Sequence, residues 1–455
     1  MIRRVLGWGR DRLMTDTPEC MCEAAFDFSS EASSVLLRQG QAALQIDGNT
    51  FEGQGEARLD LLPKPKVNLY GQFPNLSTND VFVAMTVQNP PLAFSFDGRP
   101  IEGFLVDFDT QSGQPVVKWS PKSEPIIGIG NASTQMERVV FHIFNFVLLE
   151  GMTQCPGPDE TGTRYIDLEC DDWKVRFKSL PDTRDNFKKL KAEGGYQLTY
   201  VGCLEKSDGS TFSDAEAADC LNALRLFLSF AKGGWCAPHC AVGYDATGAR
   251  VWESWSSPKE SWRTPLSWFD PHHCEQLREL FPRFMTRRKV ADWRDALREA
   301  IYWYLLANDS SHGIDAGIIL TQAAIERLAY ELVINDRRLL TAEGFKKLRA
   351  SDKFRLLFST LCIPLDIPVE TPGLQAMAQQ RKGLDAPHAL TEIRNAMVHP
   401  EHRHRNQFGA LHYEAWNLGL WFLEMSVLAI CDYVGTYGSR LNQQRWVGQI
   451  EDVPW

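Results

Sequence analysis

The chain lacks the signatures of several familiar chemistries. It has no Walker A sequence, so the Gly-Lys cradle for a triphosphate is missing. No Gly-x-Ser-x-Gly elbow presents a serine nucleophile, and no clustered carboxylates suggest a two-metal nuclease. Gly128-Ile129-Gly130 is not followed by the third glycine of a dinucleotide loop. Positive charge is scarce as well. Lys and Arg number 48 against 58 Asp and Glu, a net charge of −10, which argues against a surface built to grip duplex DNA. An acidic body still leaves room for a local basic cleft that engages RNA transiently.

Long hydrophobic runs are missing too. The amino-terminal MIRRVLGWGRDRLMTD starts basic, but Arg10, Asp11 and Arg12 interrupt any apolar core, so no secretory signal is expected. The longest apolar stretch, residues 416–434, carries Asn417, Glu424 and Asp432 and reads as a buried helix, with no membrane partner expected. The 11 cysteines are an odd, irregularly spaced set. Cys220, Cys362 and Cys431 fall within apolar helical patterns, where a thiol acts as a small hydrophobe, and a reducing cytoplasm fits best. There is no internal repeat and no low-complexity tract.

What is present is an ordinary globular composition, 44% hydrophobic and 23% charged, in a chain long enough at 455 residues for two or three domains. The expected class is α+β: a strand-rich α+β region over residues 1–255, a linker or docking segment over 256–288, and an all-helical bundle over 289–455. Residues 36–60 alternate apolar and polar side chains about a Gly-Asn turn, the pattern of antiparallel strands. Short strand-like runs follow at 81–87, 92–96, 101–106 and 116–119, and 139–149 reads equally as strand or buried helix. Ser213 and Glu216 have capping-box spacing ahead of the stripe Leu221, Leu224, Leu228 and Ala231, which Gly233-Gly234 ends. Trp252 and Trp255 fall in a possible strand beyond. In the C-terminal part, apolar stripes predict helices near 293–305, 314–332, 342–361, 386–398 and 411–433.

The chemistry concentrates at the end of the fourth of these helices, in Arg394-Asn395-Ala396-Met397-Val398-His399-Pro400. Arginine offers a permanent cationic fork suited to phosphate, histidine exchanges a proton near neutral pH, and asparagine donates and accepts without charge. RNA transesterification needs such a set: a base for the 2′-OH and a cation for the charge developing on phosphorus. At 100° per residue Asn395 and His399 share a helix face and Arg394 lies well round from His399. Convergence therefore requires the helix to end, as Pro400 suggests, or a second subunit to complete the site. The plain alternative is a helix terminus that carries basic residues against its dipole and is followed by proline. Of the 10 histidines, however, His399 alone has an arginine five positions before it.

Residues 394–399, RNAMVH, resemble the Arg-x4-6-His signature of HEPN domains, including the polar residue after the arginine, and the helical order around them is similar. The resemblance covers roughly residues 292–433 and leaves the N-terminal region aside. It implies a helical bundle that dimerises to form one composite cleft, and a metal-independent endoribonuclease of the kind found in bacterial toxin and antiphage systems. Arg394 and His399 take the catalytic roles by position, Asn395 assists, and no cofactor is required. RNA is the implied substrate, with the N-terminal region sensing a phage-derived trigger or an antitoxin restraining the activity. Other members are non-catalytic scaffolds, so the alternative is a dimeric sensor or interaction protein. Arg403 and Arg405, in the loop Glu401-His402-Arg403-His404-Arg405, would add RNA phosphate contacts or lie in a solvated loop.

Cys236-Ala237-Pro238-His239-Cys240 invites a zinc site, with His272, His273 and Cys274 to complete it, but the spacing is not that of a paired-cysteine knuckle. Turn and core roles are favoured there, and Cys20 and Cys22 make a weaker pair still. Gln322 and Glu326 share a helix face from which they would orient the histidine or simply meet water. The 14 tryptophans gather near 235–303 and 416–455, where packing explains them better than base stacking.

Overall fold

The computed structural model describes residues 23–28, 33–86, 92–109, 115–128, 135–154, 164–381, 383–399, 409–442 and 444–455. Alternation builds the first layer. Along the strand Ser34–Ile46, Val35 and Leu37 are buried, then Ala42, Leu44 and Ile46. The switch from odd to even positions follows from a bulge between Leu36 and Arg38, where one extra residue reverses every later side chain. The chain returns through Asp47 and Gly48, both at positive φ (48° and 84°), into Asn49–Asp60. The turn thus sits one residue earlier than expected and suits a two-residue hairpin.

These strands lie inside a seven-stranded antiparallel sheet. Its order is Arg99–Ile101, Leu92–Phe96, Ser34–Ile46, Asn49–Asp60, Lys66–Gln72, Val116–Pro121 and Gly103–Asp109. The expected strand at 81–87 is instead part of a helix, Thr78–Thr86. Ser77 and Asp80 bond reciprocally at its start, with Asp80 N–H donating to Ser77 Oγ and Ser77 N–H to Asp80 Oδ2.

A second antiparallel sheet has eight strands, in the order Thr153–Gln154, Arg164–Glu169, Trp173–Ser179, Leu198–Lys206, Arg138–Phe144, Pro238–Tyr244, Arg250–Ser254 and Ile126–Gly128. Its central strand Arg138–Phe144 resolves the ambiguous apolar run. Val140 and Phe144 pack with Leu44, Phe96 and Trp255 against the first sheet, while Val139, Phe141 and Ile143 face the helices. A strand covered on both faces reads as continuously apolar because neither parity meets water.

Helices form the third layer. Asp214–Lys232 starts with the expected capping box and ends at Gly233 in the left-handed region (φ 74°). The segment 256–288 docks rather than dangles: Trp268 is fully buried, and Glu275–Lys289 is itself a helix. Beyond it lie Ala291–Ala307, Ile314–Tyr330 running into a π turn at Glu331–Asp336, Ala386–Val398 and His412–Ile430, as the stripes predict. The stripe at 342–361 is two helices, Ala342–Lys347 and Ala350–Thr360, parted by extended backbone at Leu348 and Arg349. Pro372–Gln380 is an additional helix. The overall class is α+β, as expected.

One apolar cluster runs unbroken from the second sheet through Phe227, Trp268 and Phe281 into Leu297, Leu328, Ile393 and Phe422. The helical region therefore shares its core with the sheet. A buried ion pair reinforces the junction: Arg440 donates to both carboxylate oxygens of Glu424 (2.9 and 2.5 Å), to the Leu266 carbonyl and to Asn308 Oδ1. Tyr304 donates its hydroxyl to the same carboxylate (2.5 Å), so the charge is fully partnered despite being inaccessible. No helix among the described residues is long and apolar enough to cross a membrane.

Candidate functional site at the end of a pinned helix

The helix Ala386–Val398 is fixed at its start and along one side. Asp385 caps it, accepting from His388 N–H at 2.9 Å, and the same carboxylate holds Arg355 through two hydrogen bonds (2.5 and 2.9 Å). Leu390, Ile393 and Ala396 are buried against the neighbouring helices. Gln322, from Ile314–Tyr330, donates to the Leu390 carbonyl at 2.7 Å. Rotation of the motif helix would break that bond and expose the apolar side, so the orientation of its last turn is set.

On that last turn Arg394 and Asn395 are both half-buried, and Arg394 Nη1 donates to Asn395 Oδ1 at 3.2 Å. The pair is local, and it uses one of the five guanidinium N–H donors. The helix stops at Val398. His399 caps it with extended backbone (φ −103°, ψ 104°), its N–H donating to the Asn395 carbonyl at 3.0 Å. Its exposed ring is released from the 100° spacing that separates residues 394 and 399 within a helix. Three sequence-predicted residues thus gather at one surface-facing terminus. Arg403 and Arg405 lie outside the described residues.

The expectation that Gln322 and Glu326 orient the histidine is replaced by two other contacts. Gln322 binds helix backbone, as above, and Glu326 pairs with Lys353, which also lies over the Phe345 ring. Both serve packing between helices.

The cysteine–histidine run in the central sheet lies in a very different setting. Cys236, His239 and Cys240 are all buried. A bulge between His239 and Val242 turns the carbonyls of His239 and Cys240 toward His142, whose Nδ1 lies 3.2 and 3.1 Å from them. His142 Nε2 accepts from Ala25 N–H at 3.0 Å, which makes Nδ1 the protonated nitrogen. Burial lowers the pKa of His142 to about 4 and that of His239 to about 3. Burial also pushes the thiols of Cys236 and Cys240 up to about 12. The Cys240 thiol donates to the Ser256 carbonyl, and His239 Nδ1 bonds Ser256 Oγ at 3.0 Å. His273 is occupied elsewhere by Glu275 and the Gly448 carbonyl. No group of three or more metal-ligating side chains is assembled among the described residues.

A cleft that the sequence reading missed opens beside this run, with a volume of about 470 Å³. Arg225, Trp235, Trp252, Ser254 and Lys259 line it, from the helix Asp214–Lys232, the turn after it, the strand Arg250–Ser254 and the segment that follows. The available signal was Arg225, the lone charge between Asp219 and Lys232 in an otherwise apolar helix.

Two parts of the chain match known protein families. Residues 290–452 match the YopA C-terminal domain. Residues 131–265 match the YopA central domain, a range that holds seven of the eight strands of the second sheet and the helix Asp214–Lys232. The SPbeta prophage-derived uncharacterized protein YopA of Bacillus subtilis (strain 168) is 28% identical over 434 residues, covering 92% of this chain and 95% of that protein. The similarity to YopA therefore extends through the N-terminal sheet as well as the two matched domains. No solved structure matches the chain.

Proposed function

We propose that the chain is a metal-independent endoribonuclease of HEPN type, working in the cytoplasm as a homodimer with the two motifs facing one cleft. One observation carries this reading: Arg394 and Asn395 are joined on the last turn of a helix whose orientation is fixed, and an exposed His399 follows where the helix ends. Arg394 holds the scissile phosphate and stabilises the charge that develops on it, while Asn395 orients Arg394. Neutral His399 removes the 2′-OH proton, and the 2′ oxygen attacks phosphorus. The bond from phosphorus to the 5′ oxygen breaks, and the second copy's His399, starting as the imidazolium, gives its proton to the leaving oxygen. The products are a 2′,3′-cyclic phosphate and a 5′-hydroxyl.

The prophage origin of the similar YopA protein supports a place in conflict between phage and host, as a toxin or a defence nuclease. A phage-derived trigger or an antitoxin would then govern activity, with the N-terminal sheets as the sensing part. Arg403 and Arg405 follow the motif closely enough to add phosphate contacts.

The test uses the full chain, because the helical region shares its core with the central sheet. Wild type, Arg394→Ala and His399→Ala are compared on total cellular RNA in EDTA, with and without expression of phage proteins. Cleavage that disappears in both variants while dimerisation and melting are preserved supports the proposal. Identical traces for all three under every condition would leave a non-catalytic dimeric sensor.

A further inference from the structure

Arg225 lines the central cleft with its Nε buried and without a hydrogen-bond partner. Such a donor costs free energy unless something occupies it, and it forms no ion pair among the described residues. A second cation stands at the same cleft: Lys259 is exposed, lies 5.1 Å from the centroid of the Trp235 ring and forms no ion pair among the described residues either. The two carboxylates of the lining differ in availability. Glu260 is engaged by Arg263 and by Trp235 N–H, with Lys232 at 3.9 Å, whereas Glu124 forms no ion pair within 4 Å among the described residues and attracts Lys259 and Arg225 only at longer range. Apolar wall is supplied by the indoles of Trp235 and Trp252 and by Phe144, and hydroxyls by Ser254 and Ser257.

We infer that this cleft binds a small anion that carries a planar ring, of which a nucleoside monophosphate is the test case. A phosphate would draw Lys259 inward and turn the Arg225 guanidinium toward it, giving the buried Nε an acceptor, while the ring lies against the aromatic wall and an amino substituent donates to Glu124. The volume, about 470 Å³, falls within the range of small-molecule sites. His239 and Ser256, although hydrogen-bonded in this wall, supply no base for chemistry, because the buried imidazole is only weakly basic. The role is therefore binding.

The wall of the cleft also touches the helical region. Trp235 meets Tyr302 of Ala291–Ala307 edge to face at 5.9 Å, Arg263 donates to the Asn308 carbonyl, and Asn308 donates to the Gly233 carbonyl at 2.8 Å. An occupant would stiffen the join between sheet and bundle. This inference stands apart from the ribonuclease reading, since binding is measured without RNA.

The experiment titrates full-length wild type, Arg225→Gln and Lys259→Gln with adenosine 5′-monophosphate, guanosine 5′-monophosphate, adenosine and inorganic phosphate, following tryptophan fluorescence and melting. Lys188→Gln, on an exposed helix face, is the control. At least one monophosphate should quench fluorescence and raise the melting midpoint. Affinity should fall at least tenfold in both cleft variants, and in the control not at all. Failure of every probe at millimolar concentration would overturn the assignment, as would binding unchanged in Arg225→Gln and Lys259→Gln. Inorganic phosphate binding as tightly as the monophosphates would overturn the planar part of it.

Discussion

Two short runs of this chain carry reactive side-chain types, and the fold treats them oppositely. In 394–399 the helix ends, the imidazole of His399 is exposed, and the arginine keeps donors to spare. In 236–240 the imidazole and both thiols are buried, each beside a carbonyl or hydroxyl of the protein. Residue type is similar; access is not. A histidine that must exchange protons with a substrate needs water and ligand to reach it, whereas one that fixes a bulge needs the opposite. The same comparison separates His399 from His142, which anchors the segment 23–28 through Ala25 and packs against Phe28 at 4.6 Å.

The largest expected effect lies at the exposed run. Arg394→Ala or His399→Ala should lower RNA cleavage by ~10²–10⁴-fold while leaving stability within about 0.5 kcal/mol, as for other accessible positions. The measurement is a cleavage rate normalised to folded protein. Loss of activity that merely tracks loss of fold would erase the contrast between the two runs.

Next in size is His142→Ala, which should behave in the reverse manner. It removes a buried ring that contacts Phe26 and Phe28 and leaves the Ala25 N–H without its acceptor. A cost of about 3 kcal/mol is expected, from lost packing and an unpaired donor. Urea unfolding should show the loss, with cleavage per folded molecule unchanged. A variant as stable as wild type would mean that the docked segment 23–28 contributes little.

Much of this architecture was legible beforehand, and the reasons differ from place to place. Ser213 with Glu216, and the stripes over 293–305 and 386–398, are local signals that tertiary packing then reinforces. The strand Arg138–Phe144 was ambiguous because a strand buried on both faces loses its alternation. Residues 81–87 look strand-like in sequence, and the reciprocal Ser77–Asp80 bonds that start the helix Thr78–Thr86 emerge only in the fold. The break between Lys347 and Ala350 left no proline or glycine to mark it. At the site, Arg394, Asn395 and His399 were readable as a motif because they are close in sequence. The cleft was not, since Arg225 and Lys259 are brought together only by the packing of a helix on a sheet.

The buried histidines also give the comparison a pH axis. His142 and His239 ordinarily titrate near 6.5, and burial lowers them in the fold to about 4 and about 3. Between those values and 6.5 the unfolded chain takes up protons that the folded chain refuses. Stability is therefore fully present above pH 6.5 and declines as pH falls toward 4, by about 3 kcal/mol for His142 alone. Melting followed across pH 7.5 to 4.5 should slope downward on the acid side, and His142→Phe, which cannot take up a proton, should flatten that slope. An unchanged slope in the variant would place the acid sensitivity in other groups.

The smallest expected effect is that of a chelator on the buried run. Zinc binds thiolate, and burial holds the Cys236 and Cys240 thiols up to about 12, so ionising them inside the fold opposes the metal. The Cys240 thiol already donates to Ser256, and the His239 ring bonds the same residue. A bound ion would have to break these contacts and draw a further ligand into a packed sheet. Dialysis against EDTA should therefore leave the melting midpoint where it was, and Cys240→Ala should cost about 1 kcal/mol through the lost contact alone. One equivalent of zinc in protein purified without added metal, with melting lowered on its removal, would reverse this. Cys236, His239 and Cys240 would then be ligands, and the contrast between the two runs would become one between two sites.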